Sequence, residues 1–311
     1  MKNAPSSADI KNLFANGNPE EVWLKASDII KLISPDYDFT VAQSTFDDVV
    51  RLFRGEYPGY CQIKTLYHDL HHTMDVFLCA VRLMHGVHVS GTRLTDMELT
   101  MIMMGALLHD IGYAQKIGWE TGTGAQLTLT HVGRGIKFMQ SYITEHGFPP
   151  SLARSLNFVI RCTDPAEYVP EIDFPDERTH LLGQIVSSAD LTGQMADRTY
   201  LEKLLFLYLE FEEAHFGNYE SIHDMLYRTQ AFYEKIHMKL ENDLGGINKK
   251  LSFHFKEVYG VDKNFYLESI DKNIAYLTKI TKESEEKHLA MLKRGGIVEK
   301  SEILIAQRKH D

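Results

Sequence analysis

Nearly every periodic stretch of this chain repeats its apolar side chains three and four positions apart, the period of a helix face. Alternating strand patterns flanked by hairpin turns are hard to find. The reading is an all-α fold, with Pro and Gly marking where helices start and stop. A first helix runs through EEVWLKASDIIKLI, with Asn18 as its cap and Pro19 in its first turn, and a second runs through TFDDVVRLFR to Gly55. The stretch YHDLHHTMDV opens a third near Tyr67. Thr95 and Glu98 form a capping-box pattern that starts an apolar helix near Asp96, ending near Gly112. KIGWETGTGAQLTL, rich in Gly and Thr, reads as a loop. Helical segments then follow one another to the C-terminus.

These segments divide into an N-terminal helical extension over 1–60, a compact bundle over 61–246, and a C-terminal helical segment over 247–311 that ends in charged, frayed sequence. In the last, Tyr266, Ile270, Ile274 and Leu277 form an apolar stripe. It either packs back on the bundle or makes a homodimer contact.

Composition narrows the partners. A net charge of −10 argues against a nucleic-acid duplex or an anionic membrane, both of which need a basic footprint. A small phosphorylated substrate stays compatible if bound metal supplies positive charge locally. The longest apolar run, around MIMMGALL, is far short of the ~20 residues of a membrane span. Three scattered cysteines without a CxxC pair, and an N-terminus MKNAPSSADIKN with no apolar core, point to a reducing, cytoplasmic location.

Chemistry concentrates at a few positions. His68, His72 and Asp75 are four and three residues apart, so one helix face would carry all three, while His71 and Asp69 would point elsewhere. His109 and Asp110 end the apolar helix in GALLHDIGY, and Asp190 follows an apolar turn in IVSSADLTGQM. An unpaired carboxylate buried there would cost several kcal/mol, so each must be paired, hydrogen-bonded or metal-bound. Imidazole and carboxylate without thiolate suit Zn²⁺, Mn²⁺, Fe or Mg²⁺. His71, His85, His88 and His215 read as ordinary satisfied or solvent-facing histidines, and Arg134 and Arg161 as surface or packing residues.

Taken in order, these motifs resemble a family. YHDLHHTMDV resembles the YHNxxHAxDV signature of the class I cyclic-nucleotide phosphodiesterases, within the HD-domain metal-dependent phosphohydrolases. LLHDIGY resembles their His-Asp motif, NFVIRCTDP the helix carrying ATD, SADLTGQM their last metal aspartate, and YRTQAFYEK their base-binding SQxxF segment. The likeness spans about Tyr67 to Leu244. It implies a compact helical bundle with metal ligands converging from several helices. His72, His109, Asp110 and Asp190 would hold Zn²⁺ or a similar transition ion, and Asp110 would bridge to a second ion, Mg²⁺ or Mn²⁺. A hydroxide between the two would attack phosphorus, with His68 as general acid on the departing oxygen. His131, Thr163 and Asp75 would lie around the ligands or at the second ion, and Asp75 would orient a histidine of its face. Gln230 and Tyr233 would bind the base of a cyclic nucleotide such as cAMP or cGMP.

Four departures bear on that expectation. Asp69 stands where the family has Asn, TLTH lacks the acid of the ENHH sequence, Tyr113 and Gln115 stand where a histidine follows the His-Asp pair, and Gly193 replaces the Asn after the last aspartate. A phosphohydrolase for another nucleotide or phosphate ester is therefore the alternative. A di-iron oxygenase would need extra histidines, of which His131 is the obvious candidate. A regulatory module keeping metal only for stability would need no spare acid such as His68.

Overall fold

The structure is a computed structural model, and it describes residues 18–308. Asn18 accepts hydrogen bonds from the Glu20 and Glu21 amides, and Pro19 opens α1 (Pro19–Ile33) behind it, as the cap pattern predicts. α2 (Thr40–Arg54) stops at Gly55. α3 (Leu70–Val89) starts later than expected, because Asp69 rather than a residue near Tyr67 is the cap and accepts from the His72 amide. His68 thus precedes the helix. α4 (Asp96–Leu108) begins at the Thr95–Glu98 capping box, with both reciprocal hydrogen bonds made.

The predicted loop over 116–129 is present and contains one short 3-10 turn, Ala125–Leu127. Then come α5 (His131–Glu145), α6 (Pro150–Arg161), α7 (Glu177–Ala196), α8 (Tyr200–Glu213), α9 (Ile222–Met238), α10 (Leu251–Tyr259), α11 (Phe265–Ile280), α12 (Glu285–Met291) and α13 (Ile297–Arg308). No strand occurs among the described residues; Tyr60 and Lys116 form an isolated antiparallel bridge. The chain is an all-α bundle.

α3 is apolar almost all round, with His72 through Val87 buried without a break, and such a helix belongs at the centre. It packs against α1, α4, α7 and α10. Gly193 lets α7 approach it closely: a Cβ there would lie 3.1 Å from the Asp75 carbonyl oxygen. That contact accounts for a glycine where the resembled family has Asn.

The C-terminal part packs against the rest of the chain. One hydrophobic core runs from Val22 in α1 to Leu292 beyond α12, so the three expected segments share a single interior. Tyr266, Ile270 and Leu277 are buried, with Ile274 partly buried beside them, and α11 lies on α7. The apolar stripe thus packs back on the bundle. The frayed tail is largely helix: α13 lies on α8 and buries Ile297 and Ser301. The N-terminal stretch read for a secretory signal, and residues 309–311 of the tail, lie outside the described residues. No described helix is long and apolar enough to cross a membrane, and the three cysteines are free thiols.

Candidate metal centre

α4 is buried along almost its whole length, so the chain leaves it inside the core and the next residues emerge there. His109 is the first. The Ala106 carbonyl lies 2.9 Å from its Nδ1, one turn back, so Nδ1 carries the proton and Nε2 is left as a lone-pair donor. Asp110 follows, and the 3-10 turn Ile111–Tyr113 then bends the chain toward the start of α5. That turn requires Gly112, because a Cβ there would sit 1.8 Å from the His131 carbonyl oxygen. The glycine is what lets His131 approach Asp110.

Four side chains from three helical regions converge. His72 Nε2 lies 3.3 Å from His109 Nε2, 3.2 Å from Asp110 Oδ2 and 3.5 Å from Asp190 Oδ1. His109 Nε2 lies 3.1 Å from Asp110 Oδ2 and 3.7 Å from Asp190 Oδ1. Ligands about 2.1 Å from one ion are roughly 3.0 to 3.4 Å apart, so the spacings among His72, His109 and Asp110 are those of a coordination sphere, with Asp190 slightly further out. Asp110 Oδ2 is buried without a properly directed hydrogen bond, and both carboxylates lack a Lys or Arg partner among the described residues. A buried carboxylate and a partly buried one, both facing two imidazole nitrogens, are what a divalent cation compensates. The donor set fits a borderline or transition ion.

The other oxygen of Asp110 faces a different way. His131 Nε2 is 3.4 Å from Oδ1, while its Nδ1 is 2.6 Å from the Thr128 carbonyl. His131 therefore stands beside the cluster, on the side where a second ion was expected. Burial pushes the Asp110 carboxyl up, but His109 first, then His131 and His72, hold it well below the usual carboxylate range. Asp190 is steadied by Gln194, whose Nε2 donates to Oδ1 at 3.1 Å, and the Tyr67 hydroxyl donates to Gln194 at 2.8 Å.

His68 comes close to the cluster although it is not on the helix, its ring centroid 5.7 Å from that of His72. Helical spacing would place it on the face of His72; the bend before α3 does so instead, with the Thr65 hydroxyl donating to the His68 carbonyl. Its Nδ1 lies 2.6 Å from Oε2 of Glu210, a residue of α8 that is 1% exposed. Oε1 of the same carboxylate accepts from the Tyr67 and His68 amides. Burial opposes a charged His68, yet Glu210 outweighs it, helped by Asp110 and Asp190, and the pKa rises to about 9. Tyr113, the residue standing for a family histidine, lies between His68 and His131, at 4.9 and 4.7 Å from their ring centroids.

The remaining expected residues have other partners. Asp75 lies beside His71, whose Nδ1 is 3.4 Å from Asp75 and 4.0 Å from Asp197. That trio has metal-like spacing, but Lys203 Nζ already sits 2.6 Å from Asp197 and 2.7 Å from His71. The lysine is the cation of that group. The Thr163 hydroxyl donates to the Ile160 carbonyl. Gln230 donates to Thr278 of α11, and Tyr233 stacks on His237. None of the three makes a hydrogen bond or ring contact with the cluster among the described residues.

Glu210 escaped the sequence reading because LEFEEAH looks like a solvated charged end. The signal was its place four residues after Phe206 and eight after Glu202, on the buried stripe of α8.

Residues 118–249 are similar to a protein family described as Npun_R2479-like. That description names no activity. The matched stretch includes His131, Asp190 and Glu210 but not His68, His72, His109 or Asp110. No curated protein matches the chain.

Proposed function

We propose that this protein is a metal-dependent phosphohydrolase whose centre is His72, His109, Asp110 and Asp190. The observation carrying the reading is the His68–Glu210 pair, 2.6 Å apart and set beside the four-residue cluster. A site that binds metal for stability alone needs no buried, carboxylate-charged imidazole next to it.

Divalent ions held by these residues, a transition ion among the four and Mg²⁺ or Mn²⁺ on the His131 side of Asp110, would supply Lewis acidity and a water of lowered pKa. The chain's own part is proton handling and orientation. Glu210 accepts the Nδ1 proton of His68 and keeps the ring cationic, so the Nε2 proton is available to a departing alkoxide. Tyr113 packs against both His68 and His131 and fixes their separation, with ring centroids 6.3 Å apart. Gln194 does the same for Asp190.

A 3',5'-cyclic nucleotide is the leading substrate, from the resemblance of the histidine motifs. A second reading, another nucleotide or phosphate ester, is favoured by the positions of Gln230 and Tyr233, which are engaged with Thr278 and His237. Purified protein supplied with Mn²⁺ or Mg²⁺ should hydrolyse cAMP or cGMP, and an Asp110→Ala variant should not. Turnover of other phosphate esters alone would select the second reading, and no turnover by metal-loaded protein on any ester would reject both.

A further inference from the structure

Beyond the turn that carries Asp110 lies a cavity that the metal centre does not use. It encloses about 420 Å³, within the usual range for small-molecule sites, roughly 300–1,000 Å³. Ile111 and Gly112, directly after Asp110, contribute to its wall. Tyr60 and Phe138 also line it, edge to face at 5.5 Å, and Tyr57 packs on both. A smaller adjoining cavity shares Tyr60, Lys116, Phe138 and Ser141.

Its charge is opposite to that of the chain. Lys116, Arg134 and Lys137 line the larger cavity and no carboxylate does; Glu145 is the acid lining the adjoining one. In a protein of net charge −10, three cations without an acid among them are not a random sample of the surface. Arg134 is fixed by donating from Nε and Nη2 to the Gly112 and Ala114 carbonyls, both at 2.8 Å. Neither lysine makes an ion pair among the described residues.

The lining also includes an exposed aromatic on a built support. Trp119 is 82% exposed. Its segment is stitched to residues 59–61 by the Tyr60–Lys116 bridge, by the Cys61 amide to the Gln115 carbonyl at 2.9 Å, and by the Ile117 amide to the Gly59 carbonyl at 3.1 Å. The Trp119 amide donates to the Lys116 carbonyl at 3.0 Å, closing a turn between the two residues. An indole, two further aromatic rings and two unpaired ammonium groups thus share one concave surface.

We infer that this cavity binds a nucleoside monophosphate, with the base against the Trp119, Tyr60 and Phe138 rings and the phosphate on Lys116 and Lys137. Aromatic faces accept any base, and ammonium groups suit a compact dianion. The net negative charge and the cavity's size disfavour a polynucleotide in the same place. The site stands on residues outside the metal cluster and does not require the hydrolase reading.

The test is a fluorescence titration of the full chain in EDTA, so that no metal-bound phosphate contributes. The protein has two tryptophans, and Trp23 is packed among Phe39, Phe46 and Phe77, which leaves Trp119 as the responsive one. AMP and CMP should each produce a saturable change at submillimolar concentration that Trp119→Phe removes. Lys116→Glu with Lys137→Glu, both exposed and without folding cost, should raise Kd at least tenfold with an unchanged melting curve. No saturable change at millimolar nucleotide, or a Kd unmoved by the double charge reversal, would overturn the assignment. Inorganic phosphate binding as tightly as AMP would also overturn it, since the rings would then contribute nothing.

Discussion

Glu210→Gln tests the proposed proton-handling role of His68. The carboxylate is 2.6 Å from His68 Nδ1 and nearly inaccessible, so the substitution removes a charge while keeping the shape and the acceptor for the Tyr67 and His68 amides. Part of the high His68 pKa comes from Asp110 and Asp190, and a cation bound between those two offsets it; the Glu210 part persists. Unit charges about 4 Å apart at an effective dielectric of 20 interact by about 4 kcal/mol, which is about three pKa units. Without Glu210 the imidazole therefore falls from about 9 to below its ordinary 6.5, because burial is then opposed less.

At pH 7.5 the protonated fraction of His68 drops from nearly all to under about one tenth, so hydrolysis should slow at least tenfold. Activity should recover as the pH is lowered through 6.5, whereas the unsubstituted protein should hold the His68 acid form to a distinctly higher pH. The alkoxide leaving group of a ribose needs a proton more than nitrophenolate does. The defect should accordingly be large on a cyclic nucleotide and small on a nitrophenyl phosphodiester. A pH profile that does not move, with equal losses on both substrates, would show that Glu210 only packs and that the acid lies elsewhere.

Other outcomes follow from the same geometry. Purified protein supplied with Zn²⁺ or Mn²⁺ should retain at least one divalent ion per chain by elemental analysis, and Asp110→Ala should lose it; equal metal in both would remove the cluster as its ligand set. Gly112→Ala forces a Cβ within 1.8 Å of the His131 carbonyl, so melting should fall by several degrees, an overpacking cost of about 1–3 kcal/mol or more; unchanged melting would mean that α5 does not abut this turn. Burial holds His85 down at about 4 and His254 well below 6.5, with His88 and Arg82 adding repulsion and Glu257 opposing it weakly at His85. Because the unfolded chain then takes up protons first, stability present above pH 6.5 should decline toward pH 4, and His254→Phe should flatten that decline in a melting series.

The helices were legible because their boundaries are local: Asn18, the Thr95–Glu98 box and Gly55 act within a few residues. His72, His109, Asp110 and Asp190 were legible because ligand-capable side chains stood where the pattern demanded burial, and the structure gathers them. Glu210 and Gln194 were not, since a carboxylate and an amide on helices are ordinary until tertiary packing turns them inward. The partners of Asp75, Gln230 and Tyr233 were not legible for the same reason. A helix face predicts which residues point together, not which neighbour they meet, and here Asp75 meets His71 while Gln230 meets Thr278. Asp69 shows the opposite case: as a helix cap it does what Asn would, so its departure from the resembled motif is neutral.

The cluster draws its ligands from residues widely separated along the chain, His72 near the start of the central helix and Asp190 late in α7. No local fragment contains the full set, so an ion cannot nucleate folding here as it does in a small zinc module. An ion bound there would arrive after the helices have docked and would act as a late clamp between α3, α4 and α7, lowering the population of open states by mass action. Chelation should therefore leave a folded bundle whose α7 exchanges its amide hydrogens faster, and metal supply would set the lifetime of the assembled chain rather than whether it assembles.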